Sequence, residues 1–186
     1  NTNECVSTEQ TDVTISVKVP NKEIIRDGTY NFELTKTDVS GQKIENENTR
    51  FKINVYDGIT VGTDNKVTYG NEVTLKNTDG TVIDTSNLTA ETGTTTGLTD
   101  ITIENDDIGK TYYYVVEETE APDEHTKIDY KVVVPVEFTI SGDKYVATKQ
   151  EAFAVTSDGT KKALSDMSTN TNECVSTEQT DVTISV

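Results

Sequence analysis

The sequence predicts an all-β protein, built as a thin sandwich of two sheets. Most segments alternate apolar and polar residues with a period of two, and turn residues separate these segments. Thr, Val and Ile outnumber Leu and Ala, and their branched side chains fit pleated strands better than helices. Only 32% of the residues are hydrophobic and Trp is absent, which suits a thin core better than a broad α/β body.

The chain repeats its own beginning. Residues 1–17, NTNECVSTEQTDVTISV, recur without change at 170–186, which gives a period of 169 residues. Such a repeat predicts a tandem array of near-identical modules, of which this sequence holds one period and part of a second. We therefore expect an inter-module linker at 1–10, a sandwich module at 11–169, and a linker with the first strand of the next repeat at 170–186.

The strands are predicted in order from this alternation. The first is DVTISVKV at 12–19, whose valines and isoleucine share one face. The same pattern predicts further strands at 30–37, 50–57, 71–77, 100–105, 112–118, 129–138, 144–149 and 151–157. The strand at 129–138 is almost continuously apolar and is expected to be central, with Pro135 marking a bulge or an edge. Residues 85–97 are rich in Gly and Thr, which favours a loop.

The charge of the chain excludes one large class of partner. The formal net charge is −17, so a phosphate backbone would be repelled and nucleic acid is not expected as a partner. Acidity of this kind typically keeps a protein soluble and copies apart. Calcium binding is the alternative, but the acidic loops at 63–66 and 104–109 lack the spacing of a calcium loop. No apolar run reaches the length of a membrane span, so no membrane insertion of this segment is expected.

The residues available for catalysis are few. His125, in the loop APDEHTK, is the single histidine, and we interpret it as an ordinary exposed residue. The sequence contains no zinc, nucleotide or dinucleotide motif. We therefore expect neither an enzyme acting on external substrates nor any cofactor or bound metal.

The two cysteines occupy the same place in successive copies. Cys5 and Cys174 are 169 residues apart, and a disulfide requires Cα atoms within about 7 Å. Copies strung end to end would hold these thiols a whole module apart, so a bond between the two is not expected. A disulfide to a neighbouring chain and an idle thiol both remain open.

Two strands place a charge where the alternation calls for an apolar residue. In FELTKTD the inward series runs Phe32, Leu34 and then Lys36, and in YYYVVEETEAP it runs Tyr112, Tyr114, Val116 and then Glu118. An isolated buried charge is costly, so each group must lose its charge or find a partner. The alternative is that both strands end there and both side chains reach water.

These two stretches resemble a known family. FELTKTDVSGQKIENENTRFKI resembles the opening of the B-type repeat of Gram-positive collagen adhesins and pilins, and YYYVVEETEAP resembles a later strand of that repeat. The resemblance covers mainly 28–57 and 111–140, and residues 58–98 are an insertion by comparison. It implies an Ig-like or prealbumin-like fold. GTYNFEL and the Tyr-rich strand also resemble the major pilins of streptococci. In those pilins the first strand carries the reactive amine, which here would be Lys18. The alternation speaks against this role, because it places Lys18 on the opposite face of the strand from Val17 and Val19.

The resemblance implies an intramolecular isopeptide bond. In the family, a lysine amine attacks the side-chain amide of an asparagine on the last strand, and a buried glutamate carries the proton. Lys36 would be the nucleophile and Glu118 the catalyst. The usual last strand has no asparagine here, so the candidates for the third member are Asn172, Asn170 and Asp166, the last with loss of water.

The predicted function is that of a structural stalk or fibre module on the cell surface. The resemblance implies an extracellular location, in a cell wall or pilus, with neighbouring copies of the module as partners and possible contacts to other chains of the fibre. Either the isopeptide bond or a strand passed from one copy to the next would hold the module together. The alternative is an adhesin domain that uses 58–98 to recognise a host or cell-surface glycan or protein.

Overall fold

Strands form almost all of the regular structure, which confirms the all-β prediction. The computed structural model describes residues 27–37, 42–91, 95 and 98–167, and the backbone of 181–185. The described strands are β1 (Thr29–Thr35), β2 (Arg50–Tyr56), β3 (Ile59–Val61), β4 (Val67–Tyr69), β5 (Leu88–Thr89), β6 (Ile101–Thr102), β7 (Thr111–Glu120), β8 (Tyr130–Ser141), β9 (Lys144–Lys149), β10 (Phe153–Thr156), β11 (Lys161–Ala163) and β12 (Asp181–Ser185). Two short 3-10 helices, Asn105–Asp107 and Leu164–Asp166, are the helical elements of the described part.

The larger sheet is centred on β7 and β8. Its order is β11-β10-β8-β7-β2-β5, its neighbouring strands are antiparallel, and β9 pairs with the second half of β8. Pro135 lies within β8 with no shift of register against β7. Its carbonyl accepts a hydrogen bond from the Gln150 amide (2.8 Å), at the point where β8 passes from β10 to β9. The missing proline N–H therefore falls in a gap between partner strands, so Pro135 marks a local edge and not a bulge.

The smaller sheet has the order β12-β1-β6. β6 is antiparallel to β1. β12 is parallel to β1, and its register pairs Asn31 with Asp181 and Thr35 with Ser185. The closing repeat of the sequence therefore supplies a strand that runs along the first described strand.

The core lies between β1 and the larger sheet. Tyr30, Phe32 and Leu34 of β1 are buried, as the alternation predicts. Phe32 stacks on Tyr114 of β7 with ring centroids 4.4 Å apart, and the hydroxyl groups of Tyr30 and Tyr114 are in contact. Burial raises the pKa of Tyr114 well above its ordinary value, so this hydroxyl stays protonated inside the core.

The predicted strand at 71–77 does not form. Its residues make isolated bridges instead: Glu72 pairs with Tyr56, Lys76 with Val82, and Asn77 with Ile101 of β6. The backbone here leaves the edge of the larger sheet and reaches the smaller one. Its partners therefore change every few residues, and no continuous ladder can build up.

The hairpin β3–β4 covers the outer face of the larger sheet. Val67 and Tyr69 pack against a second apolar cluster that includes Val133 and Val155. The hairpin tip binds the turn between β10 and β11, where the Val67 amide donates to the Gly159 carbonyl (2.9 Å). The first part of the 58–98 insertion is thus folded onto the body of the protein.

Candidate functional site

Lys36 and Glu118 each follow the last buried apolar residues of a core strand. Lys36 follows β1 directly, and its carbonyl accepts a hydrogen bond from the Ile44 amide (2.9 Å), which fixes the backbone there. Glu118 lies in β7, two residues after buried Val116. Both side chains point inward because they continue the buried series of their strands.

The two charged groups meet inside the core. The Nζ atom of Lys36 is 2.9 Å from Oε1 of Glu118. Lys36 is 6% exposed and Glu118 is 1% exposed, so neither side chain reaches water as an ordinary strand end would. The interpretation as two solvent-exposed strand ends is therefore wrong.

The two carboxylate oxygens of Glu118 have different partners. Its Oε2 accepts a hydrogen bond from the Ile128 amide (2.9 Å), in the segment that leads into β8. Its Oε1 faces Nζ of Lys36 and has no other partner among the described residues.

A β-bulge adjoins the site. Phe51 of β2 pairs with Glu118, but the next pair is Arg50 with Glu120, which leaves Thr119 as an extra residue in β7. Thr119 is exposed while Glu118 is buried. Bulges of this kind turn a strand and re-aim side chains next to functional sites. Here the bulge ends the regular β2–β7 ladder immediately after Glu118.

The neighbouring pair shows what an ordinary surface contact looks like on the same strand. Glu117 lies on the opposite face of β7, and its Oε2 is 3.4 Å from Nζ of Lys131. Both side chains are almost half exposed, at 41% and 47%. Burial therefore separates two adjacent glutamates into a solvated ion pair and a core ion pair.

The structure describes one of the three residues predicted as acyl partners of Lys36. Asp166 ends the 3-10 helix Leu164–Asp166 and is exposed, whereas Lys36 is buried. Asn170 and Asn172 lie outside the described residues. The register of β12 points its C-terminal end, after Ser185, toward the Lys36 end of β1.

Three other predicted residues also lie outside the described part of the chain. They are Lys18, Cys5 and Cys174. The predictions of an alternative amine at Lys18 and of an interchain disulfide therefore stay predictions, as does the predicted strand at 12–19.

His125 and the acidic loops make local contacts. His125 is exposed, and its Nδ1 is 2.8 Å from the Asp123 carbonyl. In the loop at 104–109, the Asp107 carboxylate accepts hydrogen bonds from the Glu104 amide (2.8 Å) and the Tyr112 hydroxyl (2.5 Å). Among the described residues, no group of three or more His, Cys, Asp or Glu side chains is arranged to hold a metal ion.

Sequence reasoning missed the two backbone features that shape the site. The Ile128 amide and the bulge at Thr119 both act through main-chain geometry, and no local sequence pattern predicts them. Together with the Lys36–Glu118 pair they form a dry site with an amine, a carboxylate and a fixed N–H donor. Such a set can transfer a proton and position an amine for attack on an acyl group.

Comparison with known proteins gives no relative. No family model, no curated protein and no solved structure matches the chain. Over the described residues, no helix has both the length and the apolar character needed to cross a membrane.

Proposed function

We propose that this chain is a structural module of an extracellular stalk or pilus-like fibre, of the B-type adhesin and pilin kind with an Ig-like sandwich. The buried Lys36–Glu118 pair, with 2.9 Å between Nζ and Oε1, is the observation that carries the proposal. The exact repeat at 1–17 and 170–186 supports it, because copies of one module build a shaft. Neighbouring copies are then the partners.

The proposed chemistry is a single self-directed acyl transfer. The Nζ atom of Lys36, as the neutral amine, attacks the side-chain carbonyl carbon of an asparagine. A new C–N bond forms, the C–N bond to the amide NH2 breaks, and ammonia leaves. Glu118, as the protonated acid, delivers its proton to the leaving nitrogen and takes up the proton that the attacking amine loses. With Asp166 as the acyl partner, the leaving group is water.

The burial of the pair supports this chemistry in two ways. The reaction needs a neutral amine and a protonated acid, and a dry environment disfavours the charged form of such groups. Fixed proximity in a folded core replaces an external catalyst, because well-oriented groups reach effective molarities of about 10⁵ M or more. A covalent bond of this kind would resist tension and proteolysis in a shaft.

Intact-mass measurement of the purified chain tests the proposal. We expect the wild-type mass to be lower than the sequence mass by one ammonia, or by one water if Asp166 reacts. The deficit is expected to vanish in Lys36→Ala and in Glu118→Ala, because each variant removes a reactant. Peptide mapping then identifies the partner among Asn170, Asn172 and Asp166.

Glu117→Ala is the matched control, since it removes the solvated glutamate next to Glu118. It is expected to keep the full deficit. A wild-type mass equal to the sequence mass would leave an uncrosslinked module and refute the chemistry.

Ligand binding by the 58–98 insertion is the second candidate. A surface groove of about 900 Å³ is lined partly by insertion residue Thr78 and by Asn105, Lys144 and Tyr145. Its polar groups would suit a glycan. A glycan and matrix-protein binding panel tests it, and Lys144→Ala is expected to weaken any binding that uses this groove.

A further inference from the structure

The outer edge of β1 is completed by a strand from the repeated segment. On one side, β1 bonds to β6 and to the backbone at Thr95 and Leu98. On the other side, β12 pairs with all five residues from Asn31 to Thr35. No other described strand pairs with this side of β1. Without β12 its backbone groups would therefore form a template for another strand in front of an apolar core.

Two segments of the chain can fill this edge. Residues 12–16 have the same sequence as β12, DVTIS, at 181–185. The same strand sequence is therefore present twice, whereas β1 offers this edge once. With β12 in place, the sequence at 12–16 is a second candidate donor for such an edge.

The short connection between residues 12–16 and β1 disfavours pairing of these two segments within one chain. Only residues 17–28 separate 12–16 from β1. A parallel neighbour requires a crossover of a dozen or more residues, normally with a helix, so this connection lies at the lower limit. β1 of a second copy carries no such constraint.

We propose that β1 is the acceptor of a strand-exchange interface, and that its occupant is the 12–16 segment of a second copy of this chain. The donor runs parallel to β1 in the register of β12, with Val13 in the place of Val182 opposite Phe32. Main-chain hydrogen bonds supply the affinity, as in other cases of strand addition to a sheet edge. Each copy then completes its neighbour, and copies join head to tail without a closing symmetry.

This inference rests on the proposed function, because a fibre of copies is what brings donor and acceptor together. It concerns backbone pairing at β1 and not the chemistry of Lys36. The mass deficit and the assembly are measured separately, so failure of either one leaves the other standing.

The test uses paired proline substitutions in the full chain. Adjacent residues of a strand direct their N–H groups to opposite sides, so a pair of prolines removes one donor facing β1 whatever the phase. Val182→Pro/Thr183→Pro is expected to displace β12 and open the edge. Light scattering after gel filtration should then show loss of monomer and oligomers that grow with protein concentration.

The same substitutions in the other copy give the matched controls. Val13→Pro/Thr14→Pro alone is expected to stay monomeric, because β12 remains in place. The combined variant with all four prolines is expected to lose the oligomers and to bind a synthetic TDVTISV peptide at one per chain. Monomeric Val182→Pro/Thr183→Pro, or oligomers that persist in the combined variant, would overturn the proposal.

A variant that fails to fold still gives an answer. The Val182→Pro/Thr183→Pro chain is then refolded with an excess of the TDVTISV peptide and, separately, with the same peptide carrying the two prolines. Recovery of folded protein with the first peptide alone supports an acceptor edge that takes a strand from another molecule. Equal recovery with both peptides, or none with either, contradicts it.

Discussion

The Lys36–Glu118 pair shows how burial changes the role of a common ion pair. Both groups have lost nearly all contact with water, and each is the ion-pair partner of the other. Such a pair adds little net stability, because the desolvation of two charges offsets most of their attraction. Stability alone therefore gives little reason for its position at the end of two core strands, which is consistent with the proposed reaction.

Removal of one partner is expected to be far more damaging than removal of both. Glu118→Ala leaves a buried ammonium without a counter-charge, which costs about 3–5 kcal/mol, and loss of a crosslink adds to this. Glu117→Ala removes a half-exposed pair and should cost at most about 1 kcal/mol. Urea unfolding measures both values.

The apolar double variant Lys36→Met/Glu118→Leu serves as the control for this comparison. It removes both charges at nearly constant volume, so it should regain the part of the stability that Glu118→Ala loses through the unpaired charge, and not the part lost with the crosslink. A double variant no more stable than Glu118→Ala would show that packing, and not an unpaired charge, sets the cost.

The sequence predicted which residues point inward, but not which of them meet. Alternation along each strand is local, so the inward phase of Lys36 and of Glu118 follows from a few neighbours. Their contact depends on how β1 packs across β7, which is set by long-range pairing that no local pattern encodes. The third member of the proposed reaction could not be predicted because the expected last strand carries no asparagine.

At the scale of elements, the hairpin β3–β4 is attached by a small polar network. Nζ of Lys66 contacts Oδ2 of Asp158 (2.7 Å), the Asp158 carbonyl (2.8 Å) and Oγ1 of Thr160 (2.9 Å). Hydrogen bonds from Lys66, Thr156 and Thr160 hold the pKa of Asp158 well below its ordinary value. The network therefore stabilises the docked hairpin while the carboxylate is ionised.

Docking of the hairpin is expected to weaken only in acid. A carboxylate whose pKa is lowered by folding stabilises the folded state at any pH above its pKa in the unfolded chain, which is about 3.9. This stabilisation is lost as the pH falls through the pKa of the folded state. Exchange of the Val67 and Lys161 amides, corrected for the intrinsic pH dependence, should therefore stay constant from pH 7 to pH 5 and accelerate below about pH 4.

Asp158→Asn is the control for this titration. It is expected to show faster exchange of both amides already at pH 7, with no further step in acid. Loss of protection in the wild type between pH 7 and pH 5 would assign the docking to another group.

Sequence reasoning succeeded for elements with one partner and failed where partners change. β9 forms over the predicted residues 144–149, because a single strand, β8, pairs with its whole length. The segment 71–77 has an equally good alternation but crosses between sheets, so its backbone bonds are divided among several partners. The alternation of apolar and polar residues indicates which face of a segment is buried. It does not indicate which strands will pair with the edges of that segment.

At the scale of the whole molecule, the charge is the dominant property. A net charge of −17 on 186 residues opposes both the folded state and the approach of a second copy. The repeated segment DVTISV carries a single carboxylate, at Asp12 and Asp181. The proposed donor strand therefore adds little to the electrostatic cost of approaching another copy.

Added salt is expected to stabilise the fold. Between about 0.01 M and about 0.15 M NaCl the Debye length shortens from about 30 Å to about 8 Å, which screens the repulsion among carboxylates. A gain of about 1 kcal/mol would raise the thermal unfolding midpoint by roughly 2–4 °C in a chain of this size. A midpoint that falls with salt, measured by calorimetry, would mean that exposed pairs such as Lys144–Asp27 outweigh the repulsion.

The parallel arrangement of β1 and β12 has a mechanical consequence. The chain enters β1 at one end of this pair and leaves β12 at the other end, since the strands run in the same direction. A pull on the two ends therefore acts along the strands and loads the whole ladder in shear. An antiparallel hairpin pulled at its adjacent ends would unzip one bond at a time, whereas here the five paired residues must give way together.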